Sequence, residues 1–288
     1  MAGSNAHKWG QAIGELFELS VNDLLTSIAL DHGLYLDKAG FRAARNGKLV
    51  RWEDLNGNHH NLDYVMERGG SENEIGTPVA FIEIAWRRYT KHSKNKAQEI
   101  EGALIPLRQT YKTSRPLLGA ILAGEFTQPS LAQLRSQGFQ VLYIPYRTIL
   151  EAFATAGIDA SSTEMTTEHE FGIKIQQWEN LSSTQIDRIK SGLIQSHDEQ
   201  VLAFIEALDV VLRRKVVAVS VTPLFGEIVS WSSIVDAIAY IRDHEPYAPA
   251  GQPFVRFEIT VRYSNGDNIL GSFQTKCDSI EFLESFVR

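Results

Sequence analysis

The chain has 288 residues, with 35 acidic against 28 basic and 43% apolar, enough for a globular body of one or two ordinary domains. A single cysteine, Cys277, excludes a disulfide framework and a cysteine-built zinc site. With no secretory leader in MAGSNAHKWGQ and no apolar run approaching the ~18 residues of a membrane helix, a cytoplasmic protein with no membrane partner is expected, and the net charge of −7 argues on its face against nucleic acid.

In chain order, residues 8–31 predict a helix, because Trp9, Ile13, Leu16, Phe17, Val21, Leu24, Leu25 and Ile28 recur at three- and four-residue spacing. Gly33 stands where a glycine would end it. Strands are expected at Lys48–Trp52 and over 60–67 (HNLDYVME), with a turn at Asn56-Gly57-Asn58 between them. After a loop from Gly69 to Thr77, the apolar run Pro78–Trp86 reads as a central strand buried on both faces. Ser93 is a plausible helix cap, followed by the stripe Ala97, Ile100, Ala103, Leu104, Leu107. Strand Leu117–Ala123, a helix from Ser130 to about Ser136, strand Phe139–Tyr146 and helix Thr148–Ala156 complete this half.

A polar stretch from Asp159 to His169 reads as a linker, placing a domain boundary near residue 160. The second half predicts one long helix, Ser183–Arg213, whose apolar stripe packs a core or a dimer partner. Strands at Val216–Val221 and Gly226–Ser230 and helix Ser232–Arg242 follow. A hairpin of Val255–Tyr263 and Ile269–Gln274 around Asn265-Gly266, then a short helix Ser279–Phe286, end the chain. Charge divides unevenly between these halves. Residues 1–158 hold 17 basic and 16 acidic residues, and residues 159–288 hold 11 and 19. The densest basic run, Arg87–Lys96, lies in the first half, with Trp86 and Tyr89 interleaved, so the overall charge reports on the second half more than on a partner of the first.

Three acids stand out. Asp63 lies in HNLDYVME, Glu83 inside VAFIEIAW, and Glu18 in the first helix, in the stretch Gly14–Glu18. An acid within a buried strand is costly unless paired or metal-bound. Each can be a strand-end acid paired with a nearby arginine. Together, acids from adjacent strands can converge on one Mg²⁺, which takes one or two carboxylates with water and phosphate in the remaining positions. His59-His60 reads as a loop pair. No nucleophile elbow, P-loop, dinucleotide fingerprint or zincin motif is present.

The order αβββαβ over residues 8–157, with Asp63 and Glu83 twenty residues apart on consecutive strands, resembles the PD-(D/E)xK nuclease superfamily. The resemblance implies a restriction-endonuclease-like α/β core (1–158) with a mixed central sheet, followed by a smaller α+β domain (159–288) for dimerisation, partner binding or target recognition. It implies a DNA endonuclease of bacterial restriction or defence, using Mg²⁺ or Mn²⁺ and acting as a homodimer. Asp63 and Glu83 would hold the metal, and Glu18 a second metal or a metal-bound water, with Glu99 a further carboxylate. The family's E-x-K lysine falls on Ala85 here. Arg87 and Lys96, ahead of Lys91, are the replacement cations, and Arg87, Arg88, Lys91, Lys94 and Lys96 the DNA-binding set. The departure at Ala85 sustains a rival, a nuclease-fold DNA-binding or assembly subunit without catalysis. A DNA repair or recombination nuclease is a further alternative. A small-molecule enzyme on an unrelated α/β sheet has no motif behind it.

Overall fold

The computed structural model describes residues 4–90, 93–194, 198–224, 226–244 and 254–287. Among them the order is α1 (Asn5–Asp31), β1 (Tyr35–Lys38), β2 (Val50–Glu53), β3 (His59–Leu62), β4 (Tyr64–Arg68), β5 (Thr77–Arg87), α2 (Ser93–Thr110), β6 (Leu117–Gly124), α3 (Gln128–Ser136), β7 (Phe139–Pro145) and α4 (Tyr146–Ala154). Then come α5 (Glu168–Glu179), α6 (Ser183–Leu193), α7 (Glu199–Leu212), β8 (Val216–Leu224), β9 (Val229–Trp231), α8 (Ile234–Asp243), β10 (Arg256–Tyr263), β11 (Asn268–Phe273) and α9 (Lys276–Glu284). The protein is a mixed α/β structure, and among the described residues no helix is long and apolar enough to cross a membrane.

The chain forms two compact units, one of residues 1–110 and 116–208, the other of 111–115 and 209–288. The division therefore falls within α7 rather than at the polar stretch near residue 160. That stretch leads into a helix of its own. Thr167 caps α5 and receives Glu170 in return, a reciprocal capping box. The following helices pack back on the first unit: the backbone N–H of Asn5 donates to Glu168 at 2.7 Å, and Lys190 pairs with Asp23 at 2.5 Å. The expected single helix Ser183–Arg213 is two helices. Ile194 leaves helical geometry at φ −122°, ψ 87°, and the Asp198 carboxylate accepts the N–H groups of Gln200 and Val201 to start α7. The acid excess moves with this correction. Residues 159–208 carry 9 acidic and 3 basic residues, whereas the second unit holds 10 of each.

In the first unit the sheet runs β1-β4-β5-β6-β7. β5 pairs antiparallel with β4 and parallel with β6, and β6 parallel with β7. β6 is buried at every position, as an apolar parallel strand covered on both faces must be. α1 lays Trp9, Ile13, Leu16, Phe17, Val21 and Leu25 into the core, and Gly33, at φ +62°, ends its C-terminal turn. The expected strand over 60–67 is broken at Asp63. Residues before it pair with β2, and residues after it pair with β1 and β5, so the ladder forks at the acid. Strand β1 was not expected; four residues with a half-buried start carry too little alternation to read.

Farther along β4, a buried ion cluster clasps β1 and the loop after it to β4 and the loop leading into β5. Arg42, 1% exposed, donates from Nη1 and Nη2 to Glu67 at 2.6 and 2.9 Å, pairs with Asp37 at 2.9 Å, and lies over the Tyr35 ring. In the second unit the antiparallel sheet β11-β10-β8-β9 is covered on one face by α8 and α9 around Val219, Phe257, Ile259, Val261 and Leu283.

Candidate active site

The fork at Asp63 brings the two strand acids together. The backbone N–H of Asp63 donates to Glu83 Oε1 at 3.3 Å, and the N–H of Ile84 donates to Asp63 Oδ2 at 2.8 Å. Each carboxylate thus receives a backbone donor from the other's strand, which fixes both without an arginine. The expected pairing of Asp63 and Glu83 with nearby arginines is absent among the described residues. The cation that does arrive comes from α2: Lys96 Nζ lies 3.8 Å from Glu83 Oε2 and 3.7 Å from Glu99 Oε2. Ala85 leaves its strand position without a charge, and the first turn of the following helix places one over Glu83.

Electrostatically this is a group of carboxylates short of cations. Burial, and then the nearby Asp63 charge, push Glu83 up to about 8 against the pull of Lys96. Burial raises Asp63, with the Ile84 N–H and Lys96 acting the other way. Glu18, on α1, is raised by partial desolvation and by Asp63 and Glu15. Glu15, one turn before Glu18, did not stand out in the sequence; its contribution follows from the i, i+3 spacing on the helix face that meets the fork.

A cleft of about 730 Å³ opens beside these acids, between α1 and the end of β5. His7, Gly10, Gly14, Arg87, Arg88 and Lys96 line it, with Trp86 and Tyr89 beside the bases. A second hollow of about 500 Å³ lies on the other side of Glu15, Glu18 and Ile84, walled by Asn22, Lys38, Asp63 and Tyr64. Glu15 and Glu18 therefore line both hollows, and Asp63 lines the second.

The predicted residues divide accordingly. Asp63, Glu83 and Lys96 converge, Glu18 lies near enough to feel the Asp63 charge, and Arg87 and Arg88 line the adjoining cleft. Arg87 donates to its neighbour's carbonyl, Trp86 O, at 3.0 Å. Glu99 is largely exposed and reaches Lys96 rather than the acids. Lys94 is exposed on the first turn of α2, and Lys91 lies outside the described residues. His60 belongs to the β2–β3 hairpin, where it meets Asp54 at 3.0 Å.

Whether the site suits a metal is a question of donor type. Among the described residues, no three or more His, Cys, Asp or Glu side chains are grouped to hold an ion. Two neighbouring oxygen donors with raised proton affinity are an incomplete set for zinc, but they match what Mg²⁺ takes from a protein when water and phosphate supply the rest. Comparison with known proteins found no family model, no curated protein and no solved structure that matches the chain.

Proposed function

We propose that this chain is a metal-dependent endonuclease that hydrolyses DNA phosphodiester bonds, with a restriction-endonuclease-like core in its first unit. The observation that carries the reading is the placement of Lys96. Its ammonium stands 3.8 Å from Glu83, supplying from α2 the charge that Ala85 cannot supply from β5. This favours catalysis over the rival of a binding subunit that has lost its lysine.

Asp63 and Glu83 would hold Mg²⁺, or Mn²⁺ in its place, and Glu18 a metal-bound water or a second ion. Bound there, the metal supplies Lewis-acid polarisation of the scissile phosphate and a more acidic water. Asp63 and Glu83 are locked by backbone donors, so their oxygens are oriented before substrate arrives. Lys96 draws Glu83 toward its ionised form, against burial and Asp63, and offers N–H donors where negative charge grows on the phosphoryl oxygens. Arg87 and Arg88 receive the flanking phosphates. A bacterial restriction or defence setting in the cytoplasm, and a homodimer, extend the reading from the resemblance.

The test is incubation of circular single- and double-stranded DNA with Mg²⁺ or Mn²⁺, beside Asp63→Ala and Glu83→Ala. Metal-dependent cleavage by the wild type alone supports the enzyme. DNA binding without cleavage, untouched by either substitution, supports the binding subunit instead.

A further inference from the structure

Resting on the nuclease reading, we propose that the cleft between α1 and the end of β5 takes an unpaired nucleotide, so that single-stranded DNA is the preferred substrate. Arg88 and its neighbours lead to this. Arg88 lies with its guanidinium 5.0 Å from the Tyr89 ring centre and 5.3 Å from that of Phe171, and has no acidic partner among the described residues. Its Nη1 is buried and makes no hydrogen bond. A buried guanidinium N–H without an acceptor is costly, and a phosphate oxygen entering the cleft relieves that cost. Arg87, beside it, likewise meets no acid among the described residues.

The opposite wall is equally specific. Gly10 and Gly14 stand one turn apart on α1, where glycine costs the helix about 1 kcal/mol per residue relative to alanine. A methyl group on Gly10 would meet nothing within 4 Å, so packing does not require the glycine. Its absence of a side chain leaves the helix backbone open to the cleft, opposite Trp86, whose Cδ1 lies 3.6 Å from where a Gly14 Cβ would be. The indole therefore rests on Gly14, and the open space for a flat base lies one turn away, over Gly10 and beside Trp86.

Size and charge separate a strand from a duplex. A cleft of about 730 Å³ is of nucleotide scale. Paired bases are stacked inside a duplex and cannot reach an aromatic wall, whereas unpaired bases stack on one readily. A duplex-gripping surface neutralises roughly 6–10 phosphates. The cleft offers Arg87, Arg88 and Lys96, in a unit with 18 basic and 25 acidic residues. Beyond the carboxylates, Lys38, held by Asn22 at 2.7 Å, marks the exit of the strand through the second hollow.

The experiment is fluorescence anisotropy with a labelled oligothymidylate and a labelled blunt hairpin duplex of similar length, with Ca²⁺ replacing Mg²⁺. The oligothymidylate is expected to bind at least about tenfold more tightly. With three cations and ~0.7 counterions released per phosphate, its log K against log salt should have a slope near −2, a loss of roughly 15–20-fold between about 50 and about 200 mM salt. Gly10→Leu fills the cleft from an open position and should cost tenfold or more in affinity with an unchanged or higher Tm. Arg88→Met keeps a stem between the rings and should flatten the slope by about 0.7. Equal binding of the hairpin, no binding of either probe, or wild-type affinity in folded Gly10→Leu overturns the proposal. Tight strand binding without metal-dependent cleavage refutes the nuclease reading and leaves the strand site standing. Cleavage of duplex with equal affinity for both probes does the reverse.

Discussion

Replacing Lys96 by methionine tests the centre of the argument. The side chain keeps its length and its packing along α2 and loses only the charge that faces Glu83 at 3.8 Å. At an effective dielectric of ~20, unit charges at that separation interact by about 4 kcal/mol. Because Lys96 is 19% exposed, solvent reduces this, and about 2–4 kcal/mol is the expected loss where charge develops. Initial cleavage rates at saturating substrate should fall by about 30- to 1,000-fold. Lys96→Arg, which restores a cation with a different reach, should recover part of that loss. The pH profile supplies an independent readout. Lys96 lowers the Glu83 proton affinity, so its removal moves Glu83 further above about 8 and shifts the rising limb of activity to higher pH. Full activity in Lys96→Met together with loss in Arg87→Met would transfer the role to the strand arginine and refute the assignment.

The raised Glu83 also links stability to pH. Between 4.5 and about 8 the unfolded chain releases the Glu83 proton while the folded chain retains it, so stability without divalent cations falls as pH rises through that window. Glu83→Gln should flatten this slope in thermal melts at a series of pH values; a parallel decline in both proteins would contradict the burial argument. Mg²⁺ competes with that proton, so its stabilisation in the same melts should be larger above pH 8 than near pH 5, and a pH-independent effect would count against Asp63 and Glu83 as ligands. Arg42→Met leaves Glu67 buried without its cation and Asp37 with Arg45 alone, and should cost about 3–5 kcal/mol in urea unfolding; a loss below about 1 would show the cluster to be solvated. Gly124, at φ +93°, faces the Arg87 carbonyl and the Trp86 ring. Gly124→Ala should cost more than about 1 kcal/mol and weaken oligothymidylate binding, and wild-type behaviour in both would show that the cleft wall tolerates displacement.

Much of this architecture could be read from the chain alone. The spacing in α1, the apolar run of β5 and β6, the glycine after α1 and the Asn-Gly hairpin are local signals, each dictated by the residues within one element. Asp63, Glu83 and Glu18 stood out for a local reason too, since a charge among apolar strand or helix neighbours is costly unless something meets it. Pairing decided the rest. Whether HNLDYVME is one strand or two depends on which neighbours each half meets, and those lie in β1, β2 and β5, far along the chain. The polar segment 159–169 looked like a linker because the side chains that hold it, Trp9 and Tyr146 donating to the Ala160 carbonyl, lie far back along the chain on α1 and α4. Spacing likewise left Arg87 and Lys96 as equal claimants. Strand alternation favoured Arg87 on the face of Glu83, but the turn into α2 brings Lys96 onto the carboxylate, a distance set only when helix and sheet pack.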